Sequence, residues 1–375
     1  MNISSTILKQ ENRKNVYKEI YNKKAVSKNI ILRDLNLSLP TITQNLEEFE
    51  QSGFIVKEGQ YASTRGRPAT IYKCCDNARI AVGVDLHPNN IEIAAINLYG
   101  EIVSEDSTNI TFTYSDSYFQ AFGSFVNAFV SKLCDNPREK ILGLGVGLPG
   151  IIGADGNEML YSEVLRTSEF TLLDLTQYIK DVPCRFYHNA EAGAFAEIWH
   201  GKLTESALVL TLDNCLCNAL ILDGRVYHGK LSSGTLEHMT LHPNGRQCYC
   251  GKKGCVDSYC SASSLRKMMK QTSLDEFFID LRSGDSESVQ IWDNYLSELA
   301  LAIDNFRMII ASDVILSGLL QKYITKEDLS ILKSKVMEIT TFKNLDFNIS
   351  IGNCGRKAIV IGAALPLIHQ FLEEF

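Results

Sequence analysis

The stretch His238-Met239-Thr240-Leu241-His242-Pro243-Asn244-Gly245-Arg246-Gln247-Cys248-Tyr249-Cys250-Gly251-Lys252-Lys253-Gly254-Cys255 gathers one imidazole and three thiols in a short span. Three thiolates and one imidazole satisfy a tetrahedral zinc ion, and Gly251 and Gly254 let the backbone turn tightly between ligands. A closed set of four protein ligands, His238, Cys248, Cys250 and Cys255, leaves no coordination position for water or substrate, so the expected metal is a structural zinc. The competing reading is a group of reduced, buried cysteines beside a surface histidine, because the spacing does not match the commonest finger pattern. Cys260 is an extra thiol beyond the cluster, and Cys215 and Cys217 are expected on one buried strand face.

Around this stretch the chain alternates buried strands with amphipathic helices, which predicts an α/β body of two lobes about a cleft. Strands are expected at Ile80–Asp85, Ile91–Leu98, Ile141–Val146, Ala207–Leu212 and Ala219–Leu222, and helices at Tyr118–Leu133, Leu296–Ile310 and Ile359–Phe371. Apolar residues make up 45% and charged residues 22% of the 375, ordinary globular usage that excludes wholesale disorder. No membrane span is expected, because the longest apolar stretch, Ile359–Ile368, is broken by Pro366 and falls short of the roughly 20 residues required. The first 20 residues carry Lys9, Glu11, Arg13, Lys14, Lys18 and Glu19 and lack the apolar run of a signal peptide, so a cytoplasmic location is expected. Eleven cysteines in such a chain point to metal binding or burial rather than disulfides.

Charge is unevenly spread. Residues 1–72 carry eleven Lys and Arg against seven acids, while the whole chain is −7, so a basic head sits on an acidic body. Only the head is suited to a polyanion such as double-stranded DNA. Its pattern predicts a first helix from about Asn12 to Asn22 and a second from Ser27 with Ile30, Ile31 and Leu35 inward. Ser38 is expected to cap a third helix with Pro40 in its first turn and Leu39, Ile42, Leu46 and Phe49 on one face. Thr41, Thr43 and Gln44 then face outward near the N-terminal end, the end of a recognition helix that reaches base edges. Phe54–Val56 and Ile71–Tyr72 read as strands joined by a loop holding Arg65, Gly66, Arg67 and Pro68. Such a wing could place two guanidinium groups in a narrow A·T-rich minor groove.

The body resembles the ROK family of repressors, open reading frames and sugar kinases. The resemblance is carried by Gly83-Val84-Asp85, Gly147-Leu148-Pro149-Gly150, the run from His188 to Glu197, Gly234 to His238, the zinc cluster, Val314 to Gly318 and Gly362-Ala363-Ala364. The head is similar to the winged helix-turn-helix of the repressor branch. The implied fold is an N-terminal winged helix-turn-helix over residues 1–75, followed by an actin-like, sugar-kinase-like (ribonuclease H-like) α/β domain. Its lobes are expected at 76–200 and 201–375, the latter with the zinc loop and with its last helix returning to the first lobe.

The departures from the family are informative. The glycine-rich phosphate turns of kinase members become Leu86-His87-Pro88-Asn89 and Asp213 to Ala219; proline lacks an N–H and an aspartate repels phosphate. The kinases' general-base aspartate becomes Asn189, whose amide cannot take up a proton at neutral pH. By the same resemblance His188, Thr235 and Asp257 stand at altered sugar-contacting positions and, with Gly150 and Asn189, form the candidate effector site. The reading is a ligand-responsive, catalytically inactive regulator of carbohydrate-related genes, a homodimer or homotetramer on a palindromic A·T-rich operator. An ATP-dependent sugar kinase and a regulator answering to a protein partner are the alternatives.

Overall fold

The head opens with α1 (Ser5–Lys23), which buries Val16, Tyr17 and Ile20 in a computed structural model describing residues 5–61, 69–153, 155–201, 203, 205–229, 235–310, 312–341, 343 and 346–375. It begins well before the expected Asn12: Ile7 and Leu8 are 57% and 53% exposed, so its first turns carry no buried periodicity that could reveal them. A short strand, β1 (Ala25–Ser27), leads into α2 (Lys28–Leu35), where Ile31 is buried and Ile30 and Leu35 are only half-buried. Asn36 ends that helix in the left-handed region, with φ 51°. The Ser38 hydroxyl then accepts the Thr41 N–H and starts α3 (Leu39–Gln51). Ile42, Leu46 and Phe49 form its inner face, but Leu39 is 52% exposed and does not belong to it. Being the first helical residue, Leu39 lies at the open end of the helix, one turn short of the packed face. An antiparallel hairpin of β2 (Ile55–Tyr61) and β3 (Ala69–Cys74) closes the head, with β1 paired to the other side of β3. Arg65, Gly66, Arg67 and Pro68 lie outside the described residues.

The body holds two five-stranded mixed sheets of one topology. The first is built from β4 (Ile80–Leu86), β5 (Ile91–Ile96) and β6 (Ile102–Thr108), then α4 (Asp116–Leu133), α5 (Pro137–Lys140) and β7 (Ile141–Leu148). A small antiparallel sheet follows, β8 (Ile151–Ile152), β9 (Glu158–Ser162) and β10 (Thr167–Thr171), and the chain returns through α6 (Leu172–Thr176), β11 (Cys184–His188) and α7 (Asn189–Gly201). The order is β11-β7-β4-β5-β6, with β5 antiparallel to both neighbours and β4, β7 and β11 parallel.

The second sheet repeats this as β14-β13-β12-β15-β16. Its strands are β12 (Ala207–Leu212), β13 (Leu216–Leu222), β14 (Arg225–Val226), β15 (Asp313–Ser317) and β16 (Ile349–Ile351). Between β14 and β16 stand the helices α8 (Asp257–Cys260), α9 (Ala262–Met268), α10 (Leu274–Ser283), α11 (Ser286–Arg307) and α12 (Lys326–Ile339). Because β13 starts at Leu216, Cys215 sits in the bend before it rather than on the strand expected to hold both cysteines.

The final helix, α13 (Ala358–Glu374), lies on the first sheet. A Cβ on Gly83 would stand 1.8 Å from the Val360 carbonyl oxygen, and one on Gly145 1.8 Å from that of Ala363, so these glycines set how closely helix and sheet approach. Pro366 lies inside α13, within the helix expected at Ile359–Phe371, and does not break it. Burial of Ile359 to Leu365, Ile368 and Leu372 outweighs the roughly 3 kcal/mol an interior proline costs. Among the described residues no helix is long and apolar enough to cross a membrane.

The head does not have a core of its own. Val16, Tyr17, Ile42, Leu46 and Phe49 share one buried cluster with Ala81, Ile96, Val360 and Ile368. Phe375, just past α13, stacks on Tyr17 at 3.9 Å between ring centres and meets Phe49 and Phe54 edge-on at 5.2 and 4.9 Å.

Candidate functional site

Cys248, Cys250 and Cys255 come from a loop between the second sheet and α8, and His238 from a single helical turn before it. The four ligand atoms all lie within 4.8 Å of one another. Cys248 Sγ is 3.7 Å from His238 Nδ1, and Cys250 Sγ is 3.7 Å from Cys255 Sγ. A tetrahedron with metal–sulfur bonds of about 2.3 Å has edges of about 3.7 Å, so this cluster could hold a metal. Gly251 and Gly254 adopt φ of 85° and 82°, and a Cβ on Gly254 would lie 1.7 Å from the His242 carbonyl oxygen. Burial pushes the Cys255 thiol up to about 12, so a dication is what would make the thiolate the stable form. Cys260 is fully buried and lies outside the cluster.

His238 and Cys250 also form part of the wall of a cavity of about 760 Å³ between the lobes. Four of the five candidate effector residues, Gly150, His188, Asn189 and Thr235, line it. Gly150 is where β9 crosses closely, since a Cβ there would meet the Tyr161 carbonyl oxygen at 2.6 Å. Asn189 opens α7, and its Oδ1 accepts the Ala190 N–H at 2.9 Å, which occupies the atom at the place of a general base. Burial pushes the His188 imidazole down, so it is neutral at physiological pH.

Asp257 does not join them. It is 6% exposed, is absent from the cavity wall, and its Oδ1 accepts the Leu216 N–H at 2.7 Å. The carboxylate ties the helix that follows the Cys/His cluster to the start of β13, which takes it away from the cleft wall. Besides Asp85, Glu163 and Asp213, the cleft is lined by Glu237, to which the sequence reading assigns no role. Asn218 Nδ2 donates to its Oε2 at 2.5 Å, and burial pushes its pKa up to about 8. Its position directly before His238 was the available signal, but only the fold shows that this short helical turn aims it inward.

Ionisable groups stand at the two turns that the family resemblance aligns with the kinases' phosphate turns. His87 Nε2 is 3.0 Å from Asp85 Oδ2, and the Asp85 charge pushes the imidazole up to about 9, so it is cationic at neutral pH. Across the cleft, burial raises Asp213, whose Oδ1 accepts the Asn214 N–H. A nucleotide phosphate would meet an ion pair on one wall and a carboxyl group on the other.

On α3, Gln44 is exposed while Thr41 and Thr43 are half-buried. Thr43 Oγ1 donates to the Leu39 carbonyl at 2.8 Å and accepts from Lys28 Nζ at 3.1 Å. Gln44 Nε2 donates to Glu48 Oε1, and Arg13 pairs with Glu48 Oε2, both at 3.0 Å. The acidic half of α3 is thereby partly neutralised from α1.

The chain is 26% identical over 280 residues to the xylose repressor of Caldicellulosiruptor bescii, covering 72% of this chain and 70% of that protein. It is 21% identical to the xylose repressor of Bacillus subtilis over 379 residues, covering 98% and 97%. Among solved structures it superposes on a ROK family transcriptional regulator, a homologue of the Escherichia coli Mlc protein, with a TM-score of 0.76 at 20% identity, over 98% of this chain and 97% of that one. Residues 81–369 match the ROK family model, and with the two repeated sheets and the cleft between them the chain belongs to the ROK family.

Proposed function

We propose that this protein is a DNA-binding transcriptional repressor of carbohydrate-related genes, with a kinase-like body that binds a sugar or sugar derivative and does not phosphorylate it. The two relatives named as xylose repressors support this reading. Residues 1–75 serve as the winged helix-turn-helix, and 76–200 and 201–375 as the two lobes. Thr41, Thr43 and Gln44 contact bases, and Arg65 to Pro68 form the wing. His238, Cys248, Cys250 and Cys255 hold a structural zinc that stiffens the cleft wall. Gly150, His188, Asn189 and Thr235 contact the effector. The active form is a homodimer or homotetramer on a palindromic A·T-rich operator, as two-fold helix-turn-helix proteins read paired half-sites.

One observation carries the reading: α13 joins the cleft to the head. Ile359 in its first turn lines the cleft, and Phe375 beyond its end packs on Tyr17 and Phe49, the latter on α3 itself. A ligand that favours one lobe arrangement thereby biases the placement of α3, by no more than its differential affinity for the two arrangements. Genome-wide mapping of bound DNA, paired with a coupled phosphorylation assay across common hexoses, tests this. Enrichment of discrete palindromic sites beside carbohydrate operons with no turnover is expected; turnover abolished by Asn189→Ala would overturn it.

A further inference from the structure

Behind the cleft lies a second cavity, of about 380 Å³, against the face of the second sheet that carries Leu208, Leu220 and Leu222. Its wall among the described residues is largely apolar, with Tyr227, Phe306 and Ile309 facing those leucines. An apolar cavity of this size with few polar groups is the usual form of a small-molecule site.

The two cavities share a wall. His188 lines both. Asn218 lines the second cavity and donates to Glu237, which lines the cleft. His188, Asn218 and Glu237 therefore form a thin polar partition between a polar chamber and an apolar one. Asn218 is 3% exposed, and its Oδ1 has no hydrogen-bond partner among the described residues. An unpaired buried acceptor costs about 1–3 kcal/mol, so this atom calls for a donor from a bound molecule.

We infer that the effector is a glycoside with an apolar aglycone: its sugar ring occupies the cleft, its aryl or alkyl group enters the second cavity past His188, and a hydroxyl near the glycosidic bond donates to Asn218 Oδ1. The inference rests on reading the cleft as the effector site. It accounts for the combined volume, which exceeds that of a single monosaccharide, and for a second cavity whose one carboxylate among the described residues, Glu191, is already paired with His228 at 2.9 Å.

Titration calorimetry on the full-length, zinc-loaded protein tests it, with phenyl and methyl glycosides of xylose and glucose in both anomeric forms. At least one phenyl glycoside should bind about 10- to 100-fold more tightly than its methyl counterpart, as burial of an aromatic ring predicts. Ile309→Glu, at a position 64% exposed and therefore tolerant of charge, should erase that difference and leave methyl glycoside binding in place. Asn218→Leu should weaken both. Equal binding of phenyl and methyl forms, or a phenyl preference that survives Ile309→Glu, overturns the inference and leaves the effector cleft standing. No binding by any of these probes, with operator binding intact, overturns the cleft reading and the inference together.

Discussion

At the level of single side chains, loss of catalysis is distributed, so one reversion does not restore it. Asn189→Asp returns a carboxylate to the base position, but Pro88 still lacks an N–H and Asp213 still lines the phosphate side of the cleft. Turnover of any hexose by this variant should stay at the no-enzyme background in a coupled assay. His87 offers a pH signature. Its pKa rises from an unfolded value of about 6.5 to about 9 through Asp85, so its stabilising effect is fully present below pH 6.5 and is lost as pH rises through 9. That effect is at most about 3 kcal/mol, and His87→Gln should flatten the fall in melting temperature across this window relative to the parent. A parallel fall in both proteins would contradict the assignment. Composition and spacing could identify the four metal-type ligands, whose chemistry is local to a short loop, whereas the amide of Asn189 at a base position was legible only through the family resemblance. Asp257 and Glu237 exchanged their expected importance because direction, not identity, decides which carboxylate faces a cavity.

At the level of elements, strands and helices with a buried stripe were legible and those without one were not. Ala207–Leu212 matches β12 because every residue is buried, and Ile141 starts β7 as expected, although the strand runs on to Leu148. The first turns of α1, the three-residue β1 and the exposed β6 carry no such stripe, and α11 starts at Ser286, ahead of the expected Leu296, on a polar first turn capped by Asp285 that precedes the buried Trp292 and Tyr295. Pro366 shows the limit of propensity where tertiary packing surrounds a helix on several sides. The His238–Cys255 loop is the element whose stability, on the reading that it holds a zinc ion, hangs on that ion. Chelation verified by metal analysis should lower the melting temperature by roughly 5–10 °C, the shift expected when a few kcal/mol are lost from a chain of this size. Cys255→Ser should reproduce it without chelator. An unchanged melting temperature after metal loss would argue for a cluster of plain buried thiols.

At the level of the whole molecule, head and body are one mechanical unit, which no local pattern could reveal because Tyr17 and Phe375 are joined only by the finished fold. Phe375→Ala should cost about 2 kcal/mol, less than a fully buried phenylalanine because this one is half-buried, and weaken operator binding while sparing ligand binding in the cleft. Lys14 and Lys18 both reach Glu373 across the same junction, yet these pairs are partly exposed, so Glu373→Gln should change stability by no more than about 1 kcal/mol. Coupling must also be reciprocal: whatever factor the effector takes from operator affinity, operator DNA must take from effector affinity, and calorimetry with and without an operator duplex measures both. The aromatic plug has a temporal meaning as well. The head's last strand ends at Cys74, and Phe375 is translated 301 residues later. At about 5–20 residues per second a ribosome takes on the order of 15–60 s to supply it. Through that interval the nascent head lacks both that ring and the α13 residues that share its buried cluster, so a polypeptide that stalls partway should carry a destabilised head that occupies the operator more weakly than the finished protein.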